Sequence, residues 1–237
     1  MAEVCDEGVT LPLVLLPGMD GTGELLRDLA GRLASRFRVQ VIAYPTQRHL
    51  SYDELAALVL AQSPADPFVI LGESFSGPIA IDVAAQLPRV AGLILASTFV
   101  KHPLPSFLAP FAQAFRPDWM PKCAINAGLL GTSGTAKIKD RLHATLAKLP
   151  RDLLRARLKA TLRVDKRNAL NNVHCPILYL HGRFDRLVGP SQIREITAIR
   201  LNCVVRQLDA PHMLLATHAM EAAELIEQFC QSVEIVS

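Results

Sequence analysis

The residues best suited to chemistry are a serine among small neighbours, an aspartate and a histidine, met in that order along the chain. They are Ser74 in Gly72-Glu73-Ser74-Phe75-Ser76-Gly77, Asp185 in Gly182-Arg183-Phe184-Asp185 and His212 in Ala210-Pro211-His212. A serine hydroxyl attacks a carbonyl only when a base takes its proton, an acid orients that base, and amide N–H groups receive the charge developing on oxygen. Ser74 follows the apolar run Val69-Ile70-Leu71 and precedes helical periodicity. That is the setting of a nucleophile elbow, a strained strand-to-helix corner that pushes the hydroxyl outward. The spacing is Gly-x-Ser-x-Ser, so at Ser76 one extra Oγ must be housed where the commoner pattern has glycine. Asp185 and His212 each fall just beyond a strand-like run, where open α/β sheets carry functional groups. Asp209 is a rival acid, but it lies so near His212 that it is read as bracing the loop. Among the competing histidines, His49, His143 and His218 lie in or beside predicted helices. His102 and His174 flank an inserted segment, and His181 reads as a packed turn residue.

The oxyanion donors are expected to be the backbone N–H groups of Phe75, directly after the serine, and of Met19, in Gly18-Met19-Asp20-Gly21-Thr22-Gly23. Glycines at 18, 21 and 23 permit positive φ and let the backbone approach a substrate oxygen. Their spacing does not suit a dinucleotide loop, and no isolated acid closes a second strand, so no nucleotide is expected.

These residues require a scaffold that brings them to one rim. Residues 11–16 form a wholly apolar run ending at Pro17-Gly18, as in a strand buried on both faces of a parallel sheet. Helical spacing follows over 24–35, a second strand over 37–43, and a helix from Tyr52 to Gln62 with Ser51 as N-cap and Glu54 as its capping-box partner. The elbow strand spans 67–71, its helix 75–86, and a fourth strand 90–96. A fifth strand is expected over 176–180, a helix over 190–199, a sixth strand over 203–208 and a last helix over 212–231. This alternation predicts a doubly wound α/β fold with a parallel sheet of six strands. From residue 98 to about 172 the rhythm breaks into helical sequence. The predicted organisation is therefore a core of residues 1–98 and 173–237 with a helical lid over 99–172.

Half of the 237 residues are apolar and one fifth charged, enough for one globular domain with a sizeable core and no disorder. The net charge of +3 implies no nucleic-acid partner. Cys5, Cys123, Cys175, Cys203 and Cys230 lack C-x-x-C spacing, so neither zinc nor another metal is indicated, and reduced thiols in a cytoplasmic protein are expected. The acidic start, residues 1–8, carries no secretory signal, and no apolar run reaches the roughly 18 residues of a membrane span.

Taken together, the oxyanion loop Leu16-Pro17-Gly18-Met19-Asp20-Gly21-Thr22-Gly23, the elbow, the acid loop and Pro211-His212 resemble the α/β-hydrolase superfamily. The likeness is to its small soluble Ser-Asp-His carboxylesterases and thioesterases, and it covers nearly the whole chain. Two departures are Pro17, where the family commonly has His before Gly, and Ser76. There is no space before Leu11 for the family's first antiparallel strands, which implies a trimmed sheet. The resemblance implies Ser74 as nucleophile, His212 as base, Asp185 as orienting acid, and no cofactor. A serine at the elbow sets the chain apart from relatives that use aspartate there, the haloalkane dehalogenases and epoxide hydrolases.

The lid contributes two further expectations. Phe99, Phe107, Phe111, Phe115 and Trp119 crowd its start, the last four at intervals of four residues. They either anchor the lid to the body or, with Phe99, Phe107, Phe111 and Phe115 as lining, form an apolar acyl pocket over Ser74. Downstream, Ile138, Leu142, Leu146 and Leu149, then Leu154, Leu158 and Leu162, make amphipathic stripes. Between Lys137 and Arg167 eleven basic residues face three acidic ones, a local charge of +8 that leaves the remainder of the chain at −5. This is read as a solvated helix face, or else as a surface for an anionic substrate, an acidic carrier protein or an anionic membrane. The expected activity is hydrolysis of a small-molecule carboxylic ester through an acyl-enzyme. Thioesterase and acyltransferase chemistry use the same triad, and a binding protein on this fold is the non-catalytic alternative.

Overall fold

Four of the apolar runs are hydrophobic on both sides, and in the computed structural model, which describes residues 11–103 and 121–234, they become the centre of a sheet. The strands are β1 (Leu13–Leu16), β2 (Val39–Val41), β3 (Phe68–Glu73), β4 (Val90–Ala96), β5 (Ile177–Gly182) and β6 (Val204–Leu208). They form one six-stranded sheet in the order β2-β1-β3-β4-β5-β6, every pair parallel. Alternate residues feed two cores. Val14, Leu16, Ile70, Leu93, Leu95 and Tyr179 face one, while Leu13, Leu15, Val69, Leu71, Ile94 and Leu180 face the other. The edge strands need only partial cover, and Gln40, Arg206 and Gln207 stand in them.

Helices cover both faces. On one side lie α1 (Arg27–Leu33), after a 3₁₀ turn at Glu24–Leu26, and the C-terminal α10 (Ala219–Glu234), which pack on each other and on the core of Leu26, Leu29, Ala222 and Ile226. On the other side lie α2 (Tyr52–Gln62) and α3 (Gly77–Gln86). Ser51 caps α2 as expected, accepting from the Glu54 amide while the Glu54 carboxylate accepts from the Ser51 amide. A cap of this kind contributes about 1 kcal/mol. Between β4 and β5 the chain forms α4 (Lys122–Leu129), α5 (Ala136–Ala147), α6 (Arg151–Thr161) and α7 (Arg167–Asn171). The two ends of this insertion are tied by an antiparallel bridge of Lys101 with Asp165, flanked by His102 N–H to Val164 O and Lys166 N–H to Val100 O. Then come α8 (Pro190–Ile199), before β6, and a short α9 (Leu214–Thr217).

Three boundaries depart from expectation for physical reasons. The elbow helix does not start at Phe75. Ser74 sits at φ 48°, a 3₁₀ turn spans Ser74–Ser76, and α3 begins only at Gly77. The last helix is not continuous from His212. The short helix before it starts only at Leu214, which leaves His212 in a turn, and the two divide at His218, whose backbone (φ −126°, ψ 43°) leaves the helical region. The second strand contracts to three residues, because Phe37 turns into the core against α1. Among the described residues no helix is long and apolar enough to cross a membrane.

Candidate active site

A parallel sheet brings the carboxyl ends of its strands to one rim, and here β1, β3, β5 and β6 each release a predicted site residue there. Connections from β1 run outward to β2 on one side, whereas β3 returns on the other. The loops after β1 and β3 therefore flank the point where strand order reverses. Leu16 is in register with Gly72, which sets the Gly18–Met19 turn beside Ser74.

The corner at Ser74 is held by close contacts that exclude larger side chains. A Cβ on Gly72 would meet the Ser76 carbonyl at 2.6 Å, and one on Gly77 would meet Thr98 Oγ1 at 2.0 Å. Thr98 Oγ1 donates to the Ser74 carbonyl, and the Tyr179 hydroxyl donates to the Thr98 carbonyl at 2.6 Å, so β4 and β5 brace the corner from behind. Ser76, the departure from glycine, is wholly buried. Its hydroxyl donates to the Pro17 carbonyl and accepts from the Tyr44 hydroxyl at 2.5 Å. The extra oxygen thus ties the elbow to the loop after β1.

Ser74 Oγ lies 2.8 Å from His212 Nε2, and His212 Nδ1 lies 2.8 Å from Asp185 Oδ2. The second Asp185 oxygen accepts the amides of Leu187 and Val188 at 2.8 and 2.9 Å. Burial pushes the Asp185 pKa up, but the hydrogen bond from His212, its charge and the two amides more than offset this, and the carboxyl is held below its usual range. An ionised Asp185 fixes the proton on Nδ1 and leaves Nε2 free to accept the serine proton. Asp209 pairs instead with Arg183, at 3.2 Å, on the exposed side of the loop.

In the loop after β1, the carbonyls of five consecutive residues, 17 to 21, each have a donor. Pro17 O accepts from Ser76, Gly18 O from the Gly21 amide at 3.0 Å, and Gly21 O from the Tyr44 amide at 2.7 Å. The carbonyls of Met19 and Asp20 both accept from Arg157 Nη1 at 2.8 Å, and Pro45 O accepts from Arg157 Nη2 at 3.0 Å. Arg157 comes from α6 and is only 2% exposed. Gly21 is required twice over: its φ is +72°, and a Cβ there would lie 2.5 Å from the guanidinium. Two acids are buried here, Asp20 in the loop and Glu73 at the end of β3. Asp20 accepts from the Thr22 amide and hydroxyl, and burial raises its pKa. Glu73, next to the serine, is pushed up to about 7 by burial and by the Asp20 charge, against the pull of His212 and the Gly18 amide.

Neither Arg157 nor Glu73 was singled out from sequence, where Arg157 counted among the basic residues of a solvated face. That reading is corrected for it and in part for Arg141 and Lys166, whereas Arg155 and Arg167 form their ion pairs at the surface. Arg141 pairs with Asp28, Arg155 with Asp152, Lys166 with Asp53 and Asp82, and Arg167 with Asp165 and Glu195. Phe99 lies in the core beside α2 and α3. Phe107, Phe111 and Phe115 fall outside the described residues. His181 is buried near Asp185 and His212, and Cys123, Cys175, Cys203 and Cys230 are free thiols. Among the described residues no cluster of His, Cys, Asp or Glu is arranged to hold a metal ion.

Comparison with known proteins bears on the family and the fold. The family described as serine aminopeptidase, S33 matches residues 47–202, about two thirds of the chain. A pimeloyl-[acyl-carrier protein] methyl ester esterase of Methylococcus capsulatus is 28% identical over 93% of this chain and 94% of its own. In structure, a bromoperoxidase from Bacillus anthracis superposes with a TM-score of 0.82 at 17% identity, covering 94% of this chain and 93% of that one. A lipase-esterase related protein from Clostridium acetobutylicum gives a TM-score of 0.79 at 15% identity, over 94% and 96%. These structural likenesses bear on the fold, which is that of the α/β-hydrolases.

Proposed function

The chain belongs to the serine aminopeptidase, S33 family of hydrolases, and we propose that it cleaves a carboxylic ester through an acyl-enzyme on Ser74. The observation that carries this reading is the continuous hydrogen-bonded series from Ser74 through His212 to Asp185, with the serine at positive φ. Ser74 Oγ adds to the ester carbonyl as its proton passes to His212 Nε2, and Asp185 stabilises the imidazolium. The amides of Met19 and Phe75 receive the oxyanion. Collapse expels the alcohol with the proton from Nε2. A water then gives its proton to Nε2 as its oxygen adds to the acyl carbonyl, and collapse returns the proton to Ser74 Oγ and frees the acid. Amide and ester cleavage share this route, so the family's description and the esterase relatives describe compatible chemistry. A thioester, or an acceptor other than water, would use the same residues; the esterase name of the relatives favours water and an ester.

The finer part of the reading concerns the carrier. The relatives' name specifies an ester borne on acyl carrier protein, and Lys148, Arg151, Lys159 and Arg163 stand exposed on the insertion with no ion pair among the described residues. Both support an acidic carrier docking on this face, with the insertion acting as a lid that reads the substrate. The free thiols support a cytoplasmic setting.

The test is a fluorophosphonate probe, which acts on activated serines. Wild-type protein is expected to be labelled stoichiometrically and Ser74→Ala not at all. Equal labelling of both removes Ser74 as nucleophile, and labelling of neither favours the binding-protein reading.

A further inference from the structure

Arg157 is the largest fully buried side chain among the described residues, and none of the described carboxylates is hydrogen-bonded to its guanidinium. A buried charge is costly unless its donors are used. Here Nη1 and Nη2 meet three backbone carbonyls, and two of them belong to Met19 and Asp20 in the turn that carries the proposed oxyanion donor. The Met19 N–H shares a peptide plane with Gly18 C=O, which is fixed by the Gly21 amide. The next two peptides are fixed by Arg157, and the one after by Tyr44. Without the guanidinium, two adjacent carbonyls would be buried without their donor, and the turn would rotate to reach water or another partner.

We propose that Arg157, supplied by the insertion, is a positioning residue that sets the direction of the Met19 amide and so couples the insertion to the oxyanion hole. The inference rests on the hydrolase reading above. Arg157 does not touch substrate; it acts through the turn. Its side chain also lies 5.8 Å from the centre of the Tyr44 ring, whose hydroxyl holds Ser76. Loop, elbow and insertion therefore share one buried polar cluster. A merely structural arginine would lower the amount of folded protein. A positioning arginine also lowers turnover by each folded molecule, and does so selectively against the tetrahedral state.

The experiment compares wild type with Arg157→Lys and Arg157→Gln on a neutral p-nitrophenyl ester, with kcat expressed per serine titrated by fluorophosphonate. It also measures inhibition by a trifluoromethyl ketone, which forms a tetrahedral oxyanion adduct with a serine. A misplaced donor is expected to cost up to the about 100-fold that loss of an oxyanion donor costs. For Arg157→Gln the expectation is a fall in kcat of about 30-fold and a matching loss of ketone affinity, with KM within about 2-fold. Arg157→Lys, which keeps the charge and can reach some of the carbonyls, should recover part of both. If Arg157→Gln does not fold, Arg157→Lys alone decides, because a lysine that restores wild-type kcat and ketone affinity per titrated serine overturns the inference. Unchanged kcat and ketone affinity in Arg157→Gln overturn it equally. Failure of wild type to label would sink the hydrolase reading instead, so the two failures are distinct.

Discussion

Glu73 keeps a carboxyl where little solvent can sustain its charge, and this has a consequence for pH. Its pKa rises from the ordinary 4.5 to about 7. Below about pH 4.5 the group is protonated in both folded and unfolded chains. Between there and pH 7 only the unfolded chain has released its proton, so this group's contribution to stability falls as pH rises and stays lost above pH 7. Glu73→Gln is neutral throughout and still accepts from the Gly18 amide. It is expected to gain stability over wild type as pH rises, by an amount on the order of a few kcal/mol between pH 5 and pH 8. Urea midpoints at the two pH values measure this; a difference that does not change with pH would refute it. Asp20 shifts in the same direction and Asp185 in the opposite one, and both are present in each protein compared. At this scale Ser74, Asp185 and His212 were legible in the sequence as candidates, because each follows the carboxyl end of a strand and their chain order suits one reaction. Arg157 was not, since it stands among arginines and lysines at helical spacing. Its burial is decided by carbonyls at residues 19, 20 and 45 that only the fold brings near.

The elbow depends on how strand, turn and helix approach one another. Ser76 shows that the second small position can hold an oxygen if the fold supplies partners, here the Pro17 carbonyl and the Tyr44 hydroxyl. Ser76→Gly would restore the commoner pattern, yet it is expected to destabilise the protein by about 1–3 kcal/mol. It strands the buried phenol and frees the loop from the elbow. Thermal unfolding checks this, and a variant as stable as wild type would show that the hydroxyl is incidental. Elements with local signals were read to the residue: α2 through its capping box, β4 through its apolar run, and α8 through Pro190 at its start. The break at His218 was not, because the sequence from Leu214 to Glu234 keeps an apolar face on both sides of it.

Across the whole molecule the insertion is attached to the sheet by means of different strength. Arg157 reaches the oxyanion loop, Lys166 pairs with Asp82 on α3, Arg141 pairs with Asp28 on α1, and the Met213 amide beside His212 donates to Leu129 O on the insertion. The +8 of residues 137–167 is therefore only partly a surface property, since several of its charges are spent inward. Those exposed with no ion pair among the described residues, Lys137, Lys148, Arg151, Lys159 and Arg163, are screened by salt, whereas the buried contacts are screened far less. If an acidic carrier brings the ester to this face, raising salt from about 0.05 to about 0.5 M should lower kcat/KM for a carrier-borne ester by about 10-fold, because screening removes the steering of encounter. A neutral p-nitrophenyl ester should change by less than about 2-fold over the same range, as its encounter is not steered. Lys148→Glu with Lys159→Glu should reproduce the loss at low salt for the carrier-borne ester alone. Parallel falls for both substrates would remove the outward charges from substrate capture and leave the insertion's basic residues with their inward roles.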